Sequence, residues 1–208
     1  MAIKKCPSLT RVLAKLSKYA GAVKNSINLY KLHISKKARL RFENDTRSAS
    51  SFLMLEAFQR AYIRNAFPAE KPCPVPLKTI EMYMQILMPA FKFNLLMKRT
   101  TSTIADVVPN VIMMLSKWNR MEVGGNYRLL CDSLNNAFKH KFNYELNSPV
   151  YAVASLFNIS KLKEWVTRKD CEELRSSALN NIEQVAVSFQ NKNETDLNAS
   201  AQSVISAS

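Results

Sequence analysis

The sequence predicts a mostly all-α fold, and three observations carry that expectation. Apolar residues return at steps of three and four along most of the chain, the spacing that lines one face of a helix. Three glycines occur in 208 residues, which leaves little material for tight hairpins. A two-residue period appears in Lys36-Lys37-Ala38-Arg39-Leu40-Arg41-Phe42, where Leu40 and Phe42 oppose Arg39 and Arg41. That pattern allows at most one or two short strands near residues 38–43.

Taken in order, Leu9, Val12, Leu13, Leu16, Tyr19, Ala20, Val23, Ile27 and Tyr30 mark a first helix with one apolar stripe. Arg11, Lys15, Lys18 and Lys24 fall on its other face. Asn44-Asp45-Thr46 offers caps for a helix from about Ser50 to Ala66. Pro68, Pro72, Pro74 and Pro76 resist helix and mark a linker. Ile80, Tyr83, Met84, Leu87, Met88, Phe91 and Leu95 define the next helix, with a kink expected at Pro89. Ile104, Val108, Val111, Leu115 and Trp118 follow, with Asp106 as N-cap, Pro109 in the first turn and Gly124-Gly125 as the stop. Tyr127, Leu130, Cys131, Leu134 and Phe138 mark another helix, and a short apolar piece, Val150–Phe157, leads to Trp165. Asp170 is placed to cap a last helix through Leu174, Ala178, Ile182, Val185 and Phe189. From Asn191 onward large apolar groups are scarce, so a disordered tail is expected. The resulting division is a basic segment 1–67, a Pro-rich linker 68–76, a helical domain 77–190 and a tail 191–208.

Charge is the strongest functional signal. The net charge is +14, and residues 1–47 hold twelve Lys/Arg against Glu43 and Asp45, which places +10 in that stretch. Such an arm attracts polyanions, most simply nucleic acid. Lys36, Lys37, Arg39, Arg41 and Arg47 are the candidate phosphate contacts, with Lys15, Lys18 and Lys24 in support. Nothing resembles a base-reading motif, so the expected binding is independent of DNA sequence. The alternative is a helical protein-interaction or self-association module, in which these cations form a solvated face.

The same residues argue against several enzyme classes. Cys6, Cys73, Cys131 and Cys171 form no C-x-x-C pair, and His33 and His140 lie far apart, so no zinc spacing occurs. Reduced, mostly buried thiols are expected. No G-x-S-x-G, H-E-x-x-H or GK[ST] motif occurs. Two-metal phosphoryl chemistry needs converging carboxylates, and the first 42 residues contain none. Glu172-Glu173 is an acidic pair of the kind the first turn of a helix favours. No cofactor or small-molecule substrate is implied. No apolar run approaches the ~20 residues that span a bilayer, and Met1 leads into polar and basic residues instead of a signal peptide. A nuclear location is expected, with the cytoplasm as the alternative, and no membrane partner. Met82, Met84, Met88, Met97, Met113 and Met114 read as core filling.

The segment from Phe42 to Glu56 resembles a motif of the hAT-superfamily transposases, an acidic residue, then Thr-Arg-Trp-Asn-Ser-Thr, then Met-Leu-Glu-Arg. Thr46, Arg47, Ser50, Met54, Leu55 and Glu56 stand at matching positions, while Ser48 replaces the Trp and Ala49 the Asn. The run Thr101-Ser102-Thr103-Ile104-Ala105-Asp106-Val107-Val108-Pro109, within Leu87 to Leu115, is similar to the family's Ser/Thr-rich turn before a helix beginning Val-Leu-Pro. Ala152-Val153-Ala154-Ser155-Leu156-Phe157-Asn158 resembles its Ala-x-x-Leu-Asp-Pro-Arg-Phe motif, with Asn158 for the Asp and Ile159 for the Pro. The resemblance covers roughly residues 10–190. It implies a little of a ribonuclease-H-like core (about 8–60) and much of the family's all-helical insertion (about 75–190). The BED finger and the first two catalytic carboxylates have no counterpart, and the chain is expected to stop before the final catalytic Glu. An assembled DDE-type site is therefore not expected.

Overall fold

The computed structural model describes residues 6–42 and 49–157, together with Thr167, Glu172, Arg175, Ser176, residues 178–184 and Val187. Eight helices follow one another: α1 (Pro7–Lys24), α2 (Ile27–Ser35), α3 (Ser50–Ile63), α4 (Leu77–Met97), α5 (Ile104–Asn119), α6 (Gly125–Lys141), α7 (Asn143–Asn147) and α8 (Pro149–Leu156). Residues 178–184 are also helical, and no strand occurs among the described residues. The all-α expectation is met. The Asp170 cap, Trp165, most of the last expected helix and the tail lie outside the described residues.

The extended piece expected near 38–43 forms no strand over its described residues, 38–42. The end of α2 explains why. Lys36 closes the helix, Lys37 takes a left-handed φ of 52°, and the chain turns back. Ala38 N–H donates to His33 O at 2.8 Å and Lys37 N–H to Ile34 O at 2.8 Å, the paired bonds of a Schellman ending. The end of α3 repeats this arrangement: Asn65 has φ 48°, Ala66 N–H donates to Ala61 O at 2.9 Å, and Asn65 N–H to Tyr62 O at 3.0 Å. Ala38, Ala61 and Ala66 are buried together, with Leu40 and Phe67 packed on them. Side chains in 38–42 thus alternate around a turn and not along a sheet edge.

The expected first helix is two. Its apolar stripe runs through Leu9, Leu13, Leu16, Tyr19, Ala20 and Val23, all buried. Asn25 then ends α1, and Ser26, whose hydroxyl accepts from Leu29 N–H at 3.5 Å, starts α2. Short polar side chains serve helix ends better than helix interiors, so the break falls where they sit. Ile27 and Tyr30 consequently leave the buried stripe and are exposed.

Two compact units result, one from Met1–Thr100 and Met113–Lys141, the other from Thr101–Ile112 and Phe142–Ser208. In the first, α3 packs along α4, where Phe52 stacks on Phe91 at 4.2 Å and 18°. Phe58, Met54, Leu55, Ile80, Ile86, Leu130 and Trp118 are fully buried there. Pro89 lies inside α4, which continues through it. A proline cannot donate to the carbonyl four residues back, that of Gln85. Next to it, the carbonyl of Ile86 accepts the Trp118 indole N–H at 2.8 Å. The Pro-rich stretch 68–76 lies within this unit, held by two phenols. Tyr19 donates to Lys71 O at 2.9 Å and Tyr62 to Val75 O at 2.7 Å, and Val75 is buried.

In the second unit, Val108, Ala152 and Ala178 form a small buried cluster, with Ile112, Leu146, Tyr151 and Leu156 against it. Asp106 is not the N-cap of α5. The helix begins at Ile104, and Asp106, in its first turn, accepts from Thr103 N–H at 3.0 Å, the reciprocal half of a capping box. Pro109 therefore falls deeper in the helix than its first turn. Gly124-Gly125 does not stop α5 directly, since α5 ends at Asn119; Gly125, with φ 54°, opens α6.

Candidate nucleic-acid interface

The basic segment is built on α1, α2 and the turn that follows. Between residues 6 and 42 stand nine Lys/Arg and no Asp or Glu. Lys15, Lys18, Lys24, Lys36, Lys37, Arg39 and Arg41 are all exposed. Arg47 lies outside the described residues. Among the described residues no carboxylate pairs with any of the seven. Ion pairs form instead within α3, Arg60–Glu56 at 3.5 Å, and within α6, Arg128–Asp132 at 3.0 Å.

The seven fall into two groups. On α1, Lys15 and Lys18 join Arg11 at i, i+4 and i+7, so the three share one face opposite the buried Leu9–Leu13–Leu16 stripe. Lys24, at the end of α1, leaves that face; its ammonium lies 5.9 Å over the ring of Phe42. It thereby joins the second group, Lys36, Lys37, Arg39 and Arg41, around the α2 ending.

A further cation belongs with that second group. Arg64, which closes α3, donates from Nη1 to the carbonyls of Lys36 (3.4 Å) and Lys37. The carbonyl ends of α2 and α3 therefore meet, and Lys36, Lys37 and Arg64 stand around them. Cations there also offset the negative helix ends. Arg64 could not be found from the sequence, because its partners lie 27 and 28 residues away.

Behind the turn sits His33, 1% exposed. Its Nδ1 lies 3.2 Å from Ala38 O, which fixes that nitrogen as the donor. Nε2 has no hydrogen-bond partner among the described residues. The ring meets Tyr19 and Phe67 edge-on, at 6.5 and 5.6 Å. Burial holds the imidazole below its ordinary pKa, only partly opposed by the Ala38 carbonyl. The Tyr19 phenol is pushed up to about 12 by burial and by nearby Cys73. His33 is thus a neutral wedge under the basic turn.

No protein-family model, curated protein or solved structure matches the chain.

Among the described residues other chemistry gathers nowhere comparable. Among the described residues no group of three or more His, Cys, Asp or Glu could hold a metal ion. Cys6 and Cys131 are buried free thiols and Cys73 is half-buried; burial raises the Cys73 and Cys131 thiols. No described helix is long and apolar enough to cross a membrane. Of the transposase-like motif, Met54 and Leu55 are buried on α3 and Glu56 pairs with Arg60, while Thr46, Arg47 and Ser48 lie outside the described residues.

Proposed function

We propose that this chain is a hAT-transposase-derived, catalytically incomplete protein that holds DNA through its phosphates, without regard to sequence. The observation that carries the binding is the exposure of Lys15, Lys18, Lys24, Lys36, Lys37, Arg39 and Arg41 on a stretch with no carboxylate. Each cation that reaches a phosphate displaces condensed counterions, and affinity follows salt accordingly. The order of the degenerate transposase-like motifs supports the derivation, and the shortage of carboxylates beside the basic arm supports the absence of a DDE-type centre. A nuclear location accords with a DNA partner.

The test is a duplex titration by fluorescence anisotropy across 50–200 mM salt. With about six phosphates engaged, affinity falls roughly a thousandfold over that range. Changing Lys36, Lys37, Arg39 and Arg41 together to Ala lowers the slope by about one unit for each phosphate no longer engaged. The same number of changes at exposed Lys78, Lys92, Lys117 and Lys139 leaves it nearly intact. Absence of binding at 50 mM salt, or an equal fall in both variants, refutes the reading.

One feature favours a second reading. Ile27 and Ile34 face outward from α2, 72% and 44% exposed, a strip of the kind that docks on a partner helix. A helical protein-interaction module takes precedence if the DNA titration fails.

A further inference from the structure

The basic stretch also displays aromatic rings. Aromatic side chains in the first unit mostly pack on one another: Tyr19 meets Phe58 and Phe67, Tyr62 meets Phe67, and Phe52 stacks on Phe91. Tyr30 and Phe42 differ. They are 44% and 48% exposed, and among the described residues neither packs against another ring. Both belong to the stretch that carries no acid. Tyr30 lies on the outward face of α2 with Ile27 and Ile34 a turn to either side and Lys31 beside it. Phe42 follows Arg39 and Arg41, with the Lys24 ammonium 5.9 Å over its ring.

Flat apolar rings among cations match one chemistry well. A single strand offers unstacked base faces along a chain of phosphates, whereas a duplex keeps those faces inside its own stack. Stacking on an aromatic ring tolerates any base, because every base has a π-face. The Lys24 ammonium lies over one face of Phe42, which leaves the other face for a base and keeps a cation next to its phosphate chain. A second copy of this chain is a poor occupant of the same face, since it would bring like charge against like.

We propose that Tyr30 and Phe42 make this surface a binder of single-stranded DNA in preference to duplex, with Lys24, Lys31, Arg39 and Arg41 on its phosphates. The proposal rests on the phosphate-binding reading above and narrows its substrate.

The experiment titrates the full chain with one mixed-sequence 20-nucleotide strand, free or annealed to its complement, over the same salt series. The free strand is expected to bind at least tenfold more tightly than the duplex. Tyr30→Ala with Phe42→Ala should weaken single-strand binding by roughly 25-fold or more, about fivefold or more for each ring removed. The salt slope and the duplex affinity should hold, and Tyr30→Phe should retain binding. Both rings are about half exposed, so their removal should leave the core intact, and circular dichroism of the double variant checks this. Equal affinity for the two forms, or equal weakening of both in the double variant, overturns the single-strand preference and leaves the phosphate reading standing. Binding to neither form overturns the phosphate reading, and the strip Ile27–Tyr30–Ile34 then belongs to a protein partner.

Discussion

Lys37 has two separable roles, one in its backbone and one in its charge, and a pair of substitutions divides them. Its φ of 52° ends α2 in the left-handed region. There a β-carbon costs about 1–2 kcal/mol against the following carbonyl. Glycine removes that cost but loses about 0.5–1 kcal/mol more backbone entropy than alanine on folding. The difference leaves Lys37→Gly about 0.5–1 kcal/mol more stable than Lys37→Ala. Both variants remove the same ammonium, so both should show the same drop in DNA affinity and salt slope. Urea unfolding followed by circular dichroism gives the first quantity, and anisotropy the second. In thermal scans the stability difference is worth roughly 2–4 °C per kcal/mol for a chain of this size. Asn65, with φ 48° at the end of α3, is an internal comparison. Asparagine tolerates this region better than lysine, so Asn65→Gly should gain less. If Lys37→Gly is no more stable than Lys37→Ala, the left-handed ending of α2 is wrong and so is the turn that displays Arg39 and Arg41.

Two further outcomes follow from buried polar groups. His33 is held neutral in the fold, with its pKa below the ordinary 6.5 of the unfolded chain; its share of stability is therefore full above about pH 6.5 and lost as pH falls toward the folded pKa. The urea midpoint of the wild type should drop more between pH 7 and 5 than that of His33→Gln, and parallel curves would show that the ring titrates freely. Trp118→Phe leaves the Ile86 carbonyl without its indole donor and opens space at a fully buried site; a destabilisation of about 1–3 kcal/mol is expected in urea unfolding, and a change below about 0.5 kcal/mol would mean that carbonyl is served otherwise.

The helices were legible because one buried stripe at steps of three and four is a local property of the chain. Ile80, Tyr83, Met84 and Leu87 on α4 and Leu130, Cys131 and Leu134 on α6 stand at the expected positions and all are buried. Boundaries were less legible. The apolar pattern runs on through Ile27 and Tyr30, and only the caps Asn25 and Ser26 reveal the break. The alternation at 38–42 mimics a strand because a Schellman turn with lysine at its left-handed position carries no glycine to announce it. The candidate site was legible as charge: Lys15, Lys18, Lys24, Lys36, Lys37, Arg39 and Arg41 are all exposed. What charge could not show was their division between the α1 face and the α2 ending, or the arrival of Arg64, since these depend on which helices meet. The tyrosine clamps on the Pro-rich stretch were hidden for the same reason.

Those two clamps also impose an order on assembly. The Tyr62–Val75 bond closes a loop of 13 residues and the Tyr19–Lys71 bond one of 52. With closure entropy growing as (3/2)RT ln n, the longer loop costs about 1.2 kcal/mol more to close. The α3–α4 hairpin and its proline strap can therefore form as a local nucleus, with α1 joining afterwards. An opening that retraces this order starts at α1. When α1 lifts away, Tyr19 releases Lys71 and uncovers one side of His33, while Tyr62 keeps the strap on the hairpin. The Arg11, Lys15 and Lys18 face would leave with α1, whereas Arg64 stays anchored on α3. Four of the ten cations named on this surface, Arg11, Lys15, Lys18 and Lys24, thus ride on α1, the part of the unit whose clamp closes the longer loop.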